Sequence, residues 1–263
     1  MTYKMTILGS GAAPGVPAIA IGWGACDPNN PKNCRTRTTV CLEYHKTRIL
    51  IDTSPDLRTQ LLKAHINTLS GVLYTHPHAD HLHGIDDLRE INRITSRSLN
   101  FYASPDTLRG IKQRFPYLLA TPKHLNNVST HPSLIANEIN YYEPFYIDDL
   151  KITPIRLMGH MMPSTGYIFN DGDIVYIADY RKIEERAFEM IKKPVKLMVV
   201  PLTLPEGSEF HAGLDDILSD IKRVHPQKAV INHMAAECDY EAIFNITPAN
   251  VEPAYDNMEI DLD

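Results

Sequence analysis

Short runs of apolar and β-branched residues alternate along the chain with segments whose apolar positions recur every three or four residues. The first pattern predicts strands and the second amphipathic helices. Strands are predicted at 3–8, 38–44, 47–52, 69–75, 99–103, 151–157, 165–169, 173–178, 196–201 and 228–232. His45-Lys46 and Asp171-Gly172 mark hairpin turns. Helices are predicted at 55–66, with Leu57, Leu61 and Leu62 facing inward, and at 85–94, with Ile85, Leu88, Ile91 and Ile94 at helical spacing. Further helices are predicted at 105–117 (Leu108, Ile111 and Phe115 inward), 184–193 (stopped by Pro194), 213–224 and 239–246. Prolines and asparagines interrupt 121–150, where the aromatic run 141–146 suits either a substrate-covering segment or packing of a long connection. The tail 247–263 is expected to return as an edge strand. No internal repeat or low-complexity tract is visible, yet both halves follow a similar strand-then-helix plan, which suits two sheets sandwiched between helices.

A chain of 263 residues is long enough for a substantial core, and one domain over 1–263 is expected. The formal charge of −6 argues against nucleic acid bound through general basicity. No stretch approaches the roughly 20 apolar residues that span a bilayer. The N-terminus enters a strand directly, without a leader pattern, so the expected compartment is the cytoplasm and no membrane partner is expected. Cys26, Cys34, Cys41 and Cys238 are too sparse for a disulfide framework. The loop 9–17 is glycine-rich, but Pro14 and the missing third glycine do not match a dinucleotide-binding turn.

The chemistry concentrates in 74–84, between a predicted strand and a predicted helix. His76, His78, Asp80 and His81 fall within six residues. Residues two apart in an extended loop point the same way, so His76 and His78 can share one ion, and Asp80 and His81 can serve a second. Mixed imidazole and carboxylate donors suit Zn, Mn or Fe.

His-Pro-His-Ala-Asp-His resembles the H-x-H-x-D-H signature of the metallo-β-lactamase superfamily. Four further motifs appear in that family's order: Asp52 at a strand end, His160 in Met158-Gly-His160, Asp179 ending 175–179, and His233 in Ile231-Asn-His233. The resemblance implies an α/β four-layer αββα sandwich with the site where the two halves meet. It implies two divalent metal ions, with Zn or Mn expected: His76, His78 and His160 on one, Asp80, His81 and His233 on the other, and Asp179 bridging. Such ions, about 3.5–4 Å apart, acidify a bridging water to a hydroxide nucleophile. Asp52 is expected to hydrogen-bond the imidazoles rather than ligate.

The loop 22–37 looks like that of the phosphonate-pathway cyclic phosphodiesterase branch, whose cysteine-rich insertion holds a structural zinc. Here Ala236 stands where those relatives carry a histidine, so Cys26 is expected to cap a loop packed by its own side chains. Arg35 and Arg37 are expected to pair with acids or to help hold an anionic substrate. In that branch a histidine at the place of His211 acts on the phosphate or leaving group. The implied function is metal-dependent hydrolysis of a small cyclic phosphate ester of a ribose or nucleotide, with His211 and Asp80 catalytic. A homodimer fits that branch. The alternatives are a tRNA 3′-end processing hydrolase of the same fold and a non-catalytic nucleotide-binding metal protein. His83 is expected to pack near the site. His45, His65, His124, His131 and His225 have no motif context.

Overall fold

The computed structural model describes residues 2–119 and 132–263. Its strands, in chain order, are β1 (Tyr3–Gly9), β2 (Thr39–Tyr44), β3 (Thr47–Ile51), β4 (Gly71–Leu73), β5 (Leu99–Ala103), β6 (Leu134–Glu138), β7 (Phe145–Ile147), β8 (Leu150–Met158), β9 (Ser164–Phe169), β10 (Ile174–Tyr176), β11 (Lys182–Ile183), β12 (Leu197–Pro201), β13 (Lys228–Asn232), β14 (Val251–Pro253) and β15 (Met258–Leu262). The first sheet has the order β15-β1-β2-β3-β4-β5-β6. The second has the order β11-β8-β9-β10-β12-β13-β14, with β7 also on β8. In each sheet an antiparallel part passes into a parallel part, at β3–β4 in the first and at β10–β12 in the second.

The period of two explains the layering. Met5 and Ile7 of β1, Val40 and Leu42 of β2, and Ile49 and Ile51 of β3 share a core with the second sheet. Leu8, Cys41 and Leu50 point the other way, onto α1 (Leu57–Lys63), α2 (Ala79–Leu82), α3 (Leu88–Thr95) and α4 (Pro105–Arg114). The second sheet's outer face takes Ala187 of α5 (Glu185–Glu189), Ile217 and Ile221 of α6 (Leu214–Val224), and Ile243 of α7 (Tyr240–Ile246). The result is the α/β four-layer sandwich of helices, sheet, sheet and helices. Each fully buried aliphatic side chain in these layers contributes about 1.5–3 kcal/mol. A polar link also crosses between the sheets: the Tyr3 hydroxyl donates to Asp173 at 2.6 Å and accepts from Asn170 Nδ2 at 2.6 Å.

Several expectations need correction. Leu62 and Ile94 face solvent, at 60% and 58% exposure. In both helices a polar residue takes the inner place instead. Gln60 is buried because its amide donates to Thr36 Oγ1 and Arg37 O, while its Oε1 accepts from Ser54. Asn92 is buried because it bridges Arg97 O and the backbone of Ser133. The helix expected at 184–193 stops at Glu189, because Lys192 N and Lys196 N are drawn to the carbonyls of Asp171 and Asp173. Within 121–150, β6 and β7 are strands that periodicity did not reveal, and Phe145 stacks on Tyr102. The remainder of that stretch, 121–131 with His124 and His131, lies outside the described residues. The tail supplies edge strands to both sheets, β14 and β15.

Candidate metal centre

Five of the predicted site segments follow the carboxyl ends of strands, four of them in or bordering the parallel parts of the sheets and one, β8, in the antiparallel part, and side chains from several loops converge there. Asp52 directly follows β3, and its φ of 63° turns its carboxylate back toward β4. Its Oδ1 accepts from Thr75 N at 2.8 Å. Its Oδ2 accepts from Thr75 Oγ1 and from His81 Nδ1, both at 2.7 Å. Beyond β4, the motif runs extended through His78 and then coils into α2, so Asp80 and His81 sit on a helical turn rather than a loop. Thr53 N bonds to His81 O at 2.7 Å and Gly84 N to Thr53 O at 3.0 Å, which pins this turn to Asp52. Gly84 is required there, since a Cβ would stand 1.9 Å from Ser54 O.

His160 follows β8 through Gly159 (φ 81°), Asp179 lies beyond β10, and His233 leaves β13 with φ 57°. His211 stands in the loop before α6. These residues form two adjoining clusters. In the first, His76 Nε2 and His160 Nε2 lie 3.0 and 3.1 Å from His78 Nδ1. In the second, His81 Nε2, His233 Nε2 and Asp80 Oδ2 are 3.2–3.3 Å apart. Asp179 lies between them: its Oδ2 is 3.9 Å from His76 Nε2 and 3.7 Å from both His81 Nε2 and His211 Nε2. The structure thus brings all seven expected ligand residues together, and it places His211 beside them.

The donor atoms fit divalent cations. A tetrahedral zinc with Zn–N bonds of about 2.0–2.1 Å needs nitrogens about 3.3–3.4 Å apart. The separations within each cluster are close to that, and lone pairs so placed repel unless a cation or proton lies between them. Burial pushes His76 well below its ordinary pKa and His160 down to about 4, so these rings offer neutral nitrogens. In the second cluster burial would raise Asp80, but His81 and His233 hold it well below the usual carboxylate range. Burial would lower His81, yet Asp80 and Asp52 hold it well above its ordinary value. A divalent cation bound at this set would compete with a proton on His81. Asp179 Oδ1 is sealed from water and makes no hydrogen bond among the described residues; it faces His233 Nδ1 at 3.5 Å.

The outward nitrogens of four rings meet polar atoms, which orients them. Besides the His81–Asp52 bond, His76 Nδ1 meets Thr75 Oγ1 at 3.0 Å. His160 Nδ1 faces Phe210 O at 3.4 Å, and His233 Nδ1 faces Thr203 Oγ1 at 3.2 Å. Thr75, Thr203 and the Phe210 carbonyl were not foreseen. Only Thr75 left a trace in the sequence, as a hydroxyl residue preceding the motif. His83 packs edge-on against Phe115. His45 pairs with Asp149, and His225 caps α6 in a left-handed conformation.

The 22–37 loop is tied down without the site. Cys26 packs against Val16, Trp23 and Ala236, while Cys34 is exposed. Arg37 pairs with Asp56. Arg35 departs from expectation: it is buried and its partners are neutral, namely Asn33 Oδ1, Ala235 O and the Cys26 thiol. It serves as a hub between this loop and the segment after His233, out of reach of a substrate.

Residues 47–234 match the family model described as the beta-lactamase superfamily domain, and the chain belongs to that superfamily, with the metallo-β-lactamase fold. Among solved structures, a new diphosphatase from the PhnP family aligns over 100% of this chain and 98% of its own, with 26% identity and a TM-score of 0.88. The Zn(2+)-bound PqqB from Methylobacterium extorquens aligns over 98% of this chain and 100% of its own, with 18% identity and a TM-score of 0.76. A relative from Porphyromonas gingivalis (strain ATCC BAA-308 / W83), named octanoyltransferase, is 30% identical over 262 residues, 99% of this chain. The chain spans about half, 52%, of that relative's length. Among the described residues, no helix is long and apolar enough to cross a membrane.

Proposed function

We propose that this chain is a binuclear metal-dependent phosphodiesterase acting on a small cyclic phosphate ester of a ribose or nucleotide. The observation that carries the reading is the pair of adjoining ligand clusters sharing Asp179, with His211 at their rim. When bound, two divalent ions, zinc or manganese, would supply an acidified water and neutralise phosphoryl oxygens. His76, His78 and His160 would hold one, Asp80, His81 and His233 the other, and Asp179 both. His211 keeps about a fifth of its side chain exposed while its Nε2 faces Asp179, so it touches both the site and an incoming substrate. An imidazole there hydrogen-bonds a phosphoryl oxygen or delivers the proton that the departing alkoxide needs. In a cyclic ester that alkoxide stays tethered to the ring, and protonation keeps it from re-attacking. The 26% identity to a PhnP-family diphosphatase supports phosphoryl chemistry and adds diphosphate esters as a nearby class.

The test is a substrate panel with zinc- or manganese-loaded protein: ribose 1,2-cyclic phosphate, 2′,3′-cyclic nucleotides, a dinucleoside diphosphate and a tRNA precursor. Turnover of a cyclic phosphate, lost in Asp80→Ala and His211→Ala, is expected. Turnover of the tRNA precursor alone would refute the proposal. A second reading draws on the octanoyltransferase name of the Porphyromonas gingivalis relative. The same site, by water attack on a carbonyl, would hydrolyse an octanoyl thioester, and adding that compound to the panel decides it.

A further inference from the structure

We propose that Thr75 is a positioning residue that keeps the proton of His76 on Nδ1 and so commits Nε2 to a metal ion. The argument is one of hydrogen-bond direction. Thr75 Oγ1 has a single hydrogen. Asp52 Oδ2, 2.7 Å away, accepts it. The hydroxyl then offers only lone pairs to His76 Nδ1 at 3.0 Å, so that nitrogen carries the hydrogen. Nε2 is left with its lone pair, 3.0 Å from His78 Nδ1 and inside the first cluster. Asp52, Thr75 and His76 are all fully buried, so no bulk water can replace the hydroxyl. Asp52 orients His81 directly at 2.7 Å but reaches His76 only through Thr75. One carboxylate therefore serves both clusters, whereas the threonine hydroxyl meets an imidazole of the first directly and the second only through Asp52.

This inference rests on the reading that the first cluster holds an ion, and the test separates the two. Zinc-loaded wild type, Thr75→Val, Thr75→Ser and Asp52→Asn are challenged with a chelator of known affinity, and metal loss is counted. Valine matches threonine in shape but lacks the hydroxyl. Thr75→Val is expected to weaken one of two sites by roughly ten- to hundredfold, as loss of such a partner does elsewhere, and the other far less, because Asp52 keeps its bonds to Thr75 N and His81 Nδ1. Thr75→Ser is expected to behave as wild type, and Asp52→Asn to weaken both sites. Equal weakening of both sites in Thr75→Val, or none, overturns the proposal. Nitrogen-15 spectra of histidine-labelled wild type need no variant to fold: a proton on His76 Nδ1 supports the proposal and a proton on Nε2 overturns it. If wild type retains no metal, the reading of the cluster fails, while the spectra still decide the role of Thr75.

Discussion

Asp256 sits near the C-terminus yet holds two loops at the other end of the chain, and its removal gives a graded test of that arrangement. One oxygen accepts from Ser10 N and Ser10 Oγ, both at 2.8 Å. The other accepts from Thr36 N at 2.8 Å and Thr36 Oγ1 at 2.6 Å. Asp256→Ala strands both backbone N–H groups, because hydroxyls can turn elsewhere and amides cannot. A buried unsatisfied N–H costs about 1–3 kcal/mol. Ser10 is fully buried and bears that in full, whereas half-buried Thr36 can recruit water. The expected total is about 2–4 kcal/mol. Asp256→Asn keeps one accepting oxygen and turns its amide toward the other loop, so it strands one N–H and costs about half as much. Urea unfolding of chelator-treated protein, read from the midpoint at constant slope, measures both. Ser10 O accepts from Met234 N at 2.9 Å, next to His233, so the alanine variant should also release the second cluster's ion more readily. Equal costs for the two variants, or an alanine cost below about 1 kcal/mol, would refute the accounting.

Three further outcomes follow from the geometry. Saturating zinc or manganese should stabilise the folded state by about 2.7 kcal/mol per site at a hundredfold excess over Kd, read as a higher melting temperature that EDTA reverses. Tyr3→Phe, which leaves Asp173 and Asn170 without their shared hydroxyl, should cost about 1–3 kcal/mol in the same urea assay. Thiol labelling of native protein at pH 8 should consume one cysteine of four quickly. Cys34 is exposed, whereas burial raises the Cys26 thiol and pushes Cys41 and Cys238 up to about 12, so little thiolate exists on those three until the protein is unfolded.

The class of fold and the residues that meet in the candidate site were legible in the sequence for a local reason. A strand's apolar run, a hairpin turn such as Asp171-Gly172 and a cluster such as 76–81 are each written in adjacent residues. The expected strands and the motif order were enough to place Asp52, His160, Asp179 and His233 at strand ends. Errors arose where an inward place went to a polar side chain. Gln60 and Asn92 are buried through hydrogen bonds to segments more than twenty residues away, and no periodicity of apolar residues can register that. Leu62 and Ile94 were misplaced for the same reason.

What the chain's order of residues determined by itself was therefore the layers, the residue types of the candidate site and their attachment to strand ends. What only the tertiary structure decided was which nitrogen of each histidine faces the centre, and that Arg35 is a buried hub rather than a contact for substrate. It also decided that the Asp256 carboxylate holds Ser10, whose carbonyl secures the loop beside His233. These depend on partners brought together by the crossing of strands, and an imidazole takes its orientation from the neighbour at its far nitrogen, not from its place in a motif.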